Sequence, residues 1–319
     1  MAKKVKKSKI TADEIVEKYD KKRQSQDFAA LFTQMEDDFN LFTLDSYTAE
    51  AGHQSYTSPK PKNDFQKIFA GINKASLTWR IVTKEDAPED ERKAANEGEA
   101  LITGLLEKAN RVLTNIQEPE IKEGISWFAG MRGIAACKCL IYTNKDRETE
   151  TDIRPLDPLH MAWEKGAEGL NWAASEYQIT KAEALERFGI ELTSEDGGRV
   201  IDYFDRTINA IILSSGSGKG ENLSKFVKEP TPHDLGHVPV FIGFAGGMPT
   251  VYTNNYDGTL KHRATSVYAS SRSTYKPFNK QVSFMMDTAE KSVAGTLIYE
   301  SEDGRKQVKG DPFGSWKVI

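Results

Sequence analysis

The sequence WFAGMRGIAACKCLIY at residues 127–142, followed by DIRPLDPLHMAW at residues 152–163, decides the fold of this chain. Apolar spacing in the first part predicts a helix that ends near Gly133 and passes into an apolar strand. The charged residues between the two parts predict a hairpin, and Asp157-Pro158 predicts a second turn. No catalytic constellation lies in the stretch, which therefore predicts a scaffold rather than an active site.

Two cysteines, Cys137 and Cys139, lie within this stretch in a C-x-C spacing. On a strand both side chains point to one face, which favours packing over an intrachain disulfide. Without a second ligand pair nearby they make a poor zinc site. A reducing, cytoplasmic origin is consistent with this cysteine usage.

The composition is that of a soluble chain with much exposed surface, at 319 residues and a net charge of −4. This small net charge neither requires nor excludes binding to nucleic acid. The sequence contains neither a signal peptide nor an apolar run of membrane-spanning length, so we expect no membrane partner.

The residues flanking the central stretch predict alternating helical and strand regions. Residues 11–14 form a capping box that predicts a helix over about 12–38, and Pro88 starts another helix that ends near residue 115. Residues 135–177 and 198–247 have β patterns, and a short helix at 181–188 separates them. Further elements are a helix at 65–74, strands at 77–82, 294–299 and 306–308, and a helical region at 260–291 that Pro277 interrupts. The pattern predicts an α+β fold.

Two motifs suggest chemistry but lack the required context. Residues 216–220 resemble a phosphate loop, although Leu213 stands where the motif needs glycine, so a flexible turn is favoured. His233 and His237, with His262 approaching in space, could bind metal in a hydrolase; the neighbouring prolines argue against the helix that would make them converge. Four carboxylates at Asp152, Asp157, Glu164 and Glu168 could act as acid and base, but without a pocket such residues are more often turn residues, and Asp157-Pro158 fits a turn.

Two groups of cations could contact DNA phosphates. Five lysines lie near the N-terminus and predict either a solvated disordered tail or a nucleic-acid contact: Lys3, Lys4, Lys6, Lys7 and Lys9. Four more cations, interleaved with aromatic residues, lie in the helical region: Arg263, Arg272, Lys276 and Lys280. These predict either a solvated helix face or a sequence-independent phosphate contact.

Taken in order along the chain, several segments resemble the portal proteins of tailed double-stranded-DNA bacteriophages. They are residues 39–45, 72–81, 127–163 and 172–189. The resemblance implies a homo-oligomeric ring of normally twelve subunits at one capsid vertex of the virion, assembled in the host cytoplasm. Such a ring passes double-stranded DNA without sequence preference and docks the terminase large subunit, the major capsid or scaffolding protein and a head–tail adaptor protein. It implies no enzyme activity, no cofactor and no metal.

The resemblance also implies a subunit with a mixed α/β wing, a helical stem and a small β clip. We place a basic tail at 1–11, the wing at 12–178, the first stem helix at 179–197, the clip at 198–247, the second stem helix at 248–289 with its kink near the channel, and a return to the wing at 290–319. Portal proteins continue further, so we expect additional wing and crown residues beyond 319. Two alternatives remain open: another head or connector protein that contacts DNA through its basic tail, and the metal-dependent hydrolase.

Overall fold

The computed structural model of the chain describes residues 10–44, 54–76, 80–143, 149–192, 197–215, 223–247, 249 and 259–293. These residues form a mixed fold of helices and two antiparallel sheets, which confirms the predicted α+β class. None of the helices in this part of the chain has the length and hydropathy that a membrane span requires.

Among the described residues, five helices precede the first strand. They are α1 (Ala12–Arg23), α2 (Gln26–Thr43), α3 (Lys60–Lys74), α4 (Glu89–Asn115) and α5 (Ile121–Arg132). The capping box at the start of α1 is confirmed, since Thr11 and Glu14 exchange hydrogen bonds. A single helix over 12–38 is wrong, because Ser25 adopts an extended conformation that ends one helix and begins the next.

Eight strands build two sheets in the described part of the chain. The strands are β1 (Ile134–Thr143), β2 (Thr149–Pro155), β3 (Met161–Gly166), β4 (Gly169–Ile179), β5 (Gly198–Asp205), β6 (Ile208–Ser215), β7 (Leu223–Pro232) and β8 (Val240–Phe244). The first sheet has the order β2-β1-β8, and the second has the order β3-β4-β5-β6-β7. All pairings are antiparallel, and a 3-10 turn at Pro158–His160 connects the two sheets.

The central stretch of the sequence lies in the core, where its helix and strands meet α2. Phe28 and Met35 of α2 pack against Ile134 of β1 and Trp163 of β3. Because each of these side chains is almost fully removed from water, this cluster fixes the two sheets against one another.

A short helix, α6 (Lys181–Phe188), connects β4 with β5, as its capping residues Thr180 and Gly189 predicted. β4 and β5 are neighbours and pair along their length. The strands β3 to β7 therefore belong to one sheet, and the boundaries that we placed at 178 and 198 between wing, stem and clip fall in its strands β4 and β5.

The helical region near the C-terminus is divided into α7 (Thr259–Arg263) and α8 (Arg272–Val293). The prediction of a break at Pro277 is wrong, since Pro277 lies inside α8, where it removes one helical hydrogen bond near the start. The break comes earlier because the Gln34 amide donates to Lys261 O and Ala264 O, which occupies carbonyls that a longer helix would use.

Three predicted strands are not observed. Residues 80–82 form no strand, and residues 77–79, 294–299 and 306–308 lie outside the described residues, as do the N-terminal lysines and the glycine-rich loop at 216–220.

Gly133 ends α5 with φ +71°, a conformation that favours glycine, and a β-carbon there would lie 2.5 Å from the Ala264 carbonyl carbon. Gly189 ends α6 with φ +65°, but a β-carbon there would have nothing within 4 Å. We expect Gly189→Ala to lower the free energy of unfolding by about 1–2 kcal/mol and Gly133→Ala by at least ~3 kcal/mol. Urea denaturation measures the free energy of unfolding of both variants. Equal losses in the two variants would contradict the close approach of Ala264 to Gly133.

Candidate functional site

Arg272 is a half-buried partner of Asp38 and not the exposed cation that the sequence predicted. Its guanidinium donates to both carboxylate oxygens of Asp38, at 2.5 and 2.7 Å, and Ser266 Oγ donates to the same carboxylate at 2.6 Å. The Asp38 side chain is only 1% exposed. The start of α8 is thus fixed to α2, and this correction removes Arg272 from the candidate DNA contacts.

Arg263 also packs against the protein. Its guanidinium lies 3.9 Å from the centre of the Phe244 ring, a cation–π contact between α7 and β8. The side chain lines a groove of about 450 Å³ between β8 and the β3–β4 hairpin, with Leu170 and Leu260 in its apolar wall. Arg263 is therefore held against the first sheet.

Lys276 and Lys280 are exposed, one turn apart on α8. Neither joins an ion pair among the described residues. Of the four cations predicted to face DNA, these two remain available to an anionic partner.

α8 also holds an extended segment, residues 54–58, which we call the strap. The N–H groups of Gln54, Tyr56 and Ser58 donate to side chains on successive turns of α8: Asp287 (2.7 Å), Ser283 (2.8 Å) and Asn279 (3.1 Å). Two extended residues advance about 6.6 Å and four helical residues about 6 Å, so the two repeats match. The strap therefore runs antiparallel to α8 and fixes it to the fold.

A buried ion cluster joins the two sheets. The Lys138 ammonium on β1 lies 2.8 Å from Asp152 Oδ2 on β2 and 2.7 Å from Asp202 Oδ2 on β5, and 4.7 Å from the centre of the Phe204 ring. Burial alone lowers the pKa of Lys138, but attraction to the two carboxylates outweighs it and raises that pKa. Burial likewise raises the pKa of Asp152, and attraction to Lys138 and Arg154 outweighs it, so that pKa is lowered. Lys138 and Asp152 are therefore both charged at neutral pH.

Sequence reasoning missed this cluster, although a signal exists in β1. Ile134, Ala136 and Lys138 alternate along the strand and are all buried. A lysine in the third buried position requires a buried counter-charge. Asp38 gives a similar signal, because it occupies the next buried position after the apolar side chains on the inner face of α2 and so requires a counter-charge.

The other carboxylates considered for acid and base chemistry have structural partners. Asp157 pairs with Arg132 at 3.1 Å and accepts from Leu159 N–H, which confirms its turn position. Glu164 accepts from Trp172 Nε1 at 2.8 Å, and this hydrogen bond lowers the pKa of Glu164. Glu168 lies 3.8 Å from Arg206. The structure does not bring these carboxylates together into one site.

The histidines do not converge either. His233 Nε2 contacts Asp205 O at 3.0 Å, and His237 Nδ1 contacts Leu235 O at 2.8 Å. Within the described ranges, no three histidine, cysteine or acidic side chains are placed to hold a metal.

Cys137 and Cys139 lie on the same face of β1 and pack against α4 and α5, as predicted. Both are free thiols, and burial raises the pKa of Cys137 to about 11. Their placement supports packing as their role.

A cavity of about 600 Å³ opens between α4, α5 and β2. Val112 and Trp127 contribute apolar walls, and Arg154 and Arg187 lie at its polar side. Among the carboxylates, histidines and cations that the sequence suggested as functional residues, Asp152 alone lines this cavity, and Asp152 is paired with Lys138.

No family model matches the chain, and no curated protein is significantly similar to it.

Proposed function

We propose that this chain is the structural subunit of a portal-like ring that forms a channel for DNA. The observation that carries the proposal is the arrangement of α8. The strap and Asp38 fix this helix to the fold, while Lys276 and Lys280 stay exposed on it together with Phe and Met side chains. A rigid helix with exposed cations and apolar groups suits assembly around an anionic polymer better than chemistry on a small substrate.

The small number of cations supports sliding rather than tight binding of DNA. Each phosphate that a lysine neutralises adds a salt-dependent contribution to the affinity for the duplex. The two exposed lysines on α8 give each subunit a weak affinity for DNA. A ring repeats this weak contact around its axis. DNA inside such a ring is centred and remains mobile.

In this proposal α8 is the stem helix, and α1–α5 with the two sheets belong to the wing. β5, β6 and β7, which we placed in a clip, continue the sheet of β3 and β4. A clip would therefore be an extension of the wing sheet at its β7 edge. The terminase large subunit, a capsid or scaffolding protein and a head–tail adaptor protein are the partners that such a ring requires.

The experiment is imaging of the purified 319-residue chain by negative-stain electron microscopy, with analytical ultracentrifugation for the subunit number. We expect rings with an axial hole. The variant Lys276→Gln should assemble normally and bind duplex DNA less tightly, with a salt slope reduced by about 1 for each subunit in contact with the duplex, whereas Lys67→Gln on α3 should not change the slope. Monomers or closed two-fold dimers alone, at high concentration, would overturn the proposal.

A second candidate is a head or connector protein that holds DNA through its N-terminal lysines. The five lysines in the first nine residues favour it. Deletion of residues 1–9 separates the two functions: loss of all DNA retention with rings intact would assign DNA binding to the tail, and retention would assign it to the ring.

A further inference from the structure

α4 is a long helix that the rest of the protein covers only in part. Of its 27 residues, Ala95, Ala109 and Leu113 are buried. Leu101 is 61% exposed, and Val112 and Ile116 are also exposed. Several large apolar side chains on one helix exceed the isolated ones that ordinary surfaces show and indicate a contact with another protein.

α8 presents a second apolar surface. Phe284 is 70% and Met285 60% exposed, while Tyr275, Asn279 and Ser283 on the other side of the helix are buried. Because those buried residues are held by the strap and by the neighbouring helix α3, the exposed side of α8 cannot turn inward.

The two surfaces belong to different sides of the fold, with α5 between them. α4 packs on the face of α5 that carries Ile121 and Ile125. Tyr275 of α8 belongs to the cluster that includes Met131, on another face of α5. One copy of the chain therefore cannot bring its own α8 against its own α4.

The charges of the two helices are complementary. Residues 89–99 of α4 contain five carboxylates and two cations, whereas residues 273–280 of α8 contain two cations, Lys276 and Lys280, and no carboxylate. The spacing also matches: Glu97 precedes the exposed Leu101 by one turn, and Lys280 precedes the exposed Phe284 by one turn. Parallel alignment of the helices places Lys280 opposite Glu97 and Phe284 opposite Leu101.

We propose that α8 of one copy of this chain packs against α4 of the next copy, with these two pairs in contact. The inference rests on the proposed ring and names its interface. Two different surfaces meet in each contact, so the contact is head-to-tail, and repetition of such contacts around an axis closes a ring. Lys280 then belongs to the subunit interface, while Lys276 remains available to DNA.

Two variants of the 319-residue chain test this interface. Each has one of the two contact surfaces blocked and the other intact, and we call them half-blocked. Phe284→Asp blocks the α8 surface and Leu101→Asp blocks the α4 surface; both residues are mostly exposed, so each variant should fold, which thermal unfolding verifies. Alone, each should require about tenfold or more higher concentration to assemble. Mixed, they should form a dimer that grows no further, because one intact α8 surface meets one intact α4 surface.

Charge reversal gives a second, independent measurement. Lys280→Glu should weaken assembly, and the added Glu97→Lys should restore it. If the unsubstituted chain forms rings but the half-blocked variants assemble equally well, this interface is wrong and the ring proposal stands. If the unsubstituted chain forms no ring, the ring proposal fails first. A mixture that stays monomeric, with both variants folded, would also overturn the interface.

Discussion

Replacement of Lys138 by Met is expected to lower the free energy of unfolding by about 3–5 kcal/mol. The ammonium is the shared counter-charge of Asp152 and Asp202 between the two sheets. Its removal leaves the largely buried Asp202 carboxylate without a cation, whereas Asp152 keeps Arg154, and Asp202 Oδ1 already lacks a hydrogen-bond partner. Uncompensated buried charge is costly because the interior cannot solvate it as water does.

Urea denaturation of Lys138→Met and of a matched surface variant measures this effect. Lys108 pairs with Glu150 at 3.0 Å, and both side chains are partly exposed. We expect Lys108→Met to change stability by less than about 1 kcal/mol. The double variant Lys138→Met/Asp202→Leu should regain much of the lost stability, since it removes the carboxylate that has no second cation. Equal effects of Lys138→Met and Lys108→Met would contradict a buried role.

The pH dependence follows from the same charges. The pKa of Asp152 is lowered in the folded protein, so its stabilisation is present above the ordinary aspartate range and is lost as the pH falls through the folded value. The pKa of Lys138 is raised, so its contribution is present at neutral pH and is lost only as the pH rises through its folded value.

Replacement of Arg272 by Met is expected to cost a similar ~3–5 kcal/mol, because Asp38 would stay buried with only the Ser266 hydroxyl as partner. Arg272→Lys should recover part of this loss, since one ammonium cannot reproduce the two-point contact of a guanidinium. The control is Lys280→Met on the same helix, which should change stability by no more than about 0.5 kcal/mol.

Thermal and urea unfolding of these three variants distinguish a structural from a DNA-binding Arg272. If Arg272→Met unfolds like the unsubstituted chain but loses affinity for duplex DNA, the original prediction of a phosphate contact is correct and the burial of Asp38 is unimportant.

Local signals in the sequence predicted many of the elements. Thr11 with Glu14 and Thr180 with Glu183 form the observed capping boxes, and Pro88 precedes α4, because caps depend on residues within one turn. The strand–turn–strand pattern of the central stretch was likewise predicted, since alternating burial is visible in the sequence.

Long-range pairings were not predictable in this way. Arg272 and Asp38 are 234 residues apart, and in sequence Arg272 is indistinguishable from the exposed Lys276. The short helix α6 between two β regions suggested separate units, whereas β4 and β5 pair directly. The sequence pattern defines where strands occur, but their partners depend on the tertiary arrangement.

The strap on α8 also has a mechanical consequence. Three of its hydrogen bonds come from backbone N–H groups, which every residue except proline supplies. The Gln54 amide adds a fourth to Glu290, and the Tyr56 ring contacts Phe278. A force directed along the helix shears the three backbone bonds together, whereas a force that lifts one end of the strap breaks them one at a time. The same attachment is therefore stiff under axial load and weak under peeling.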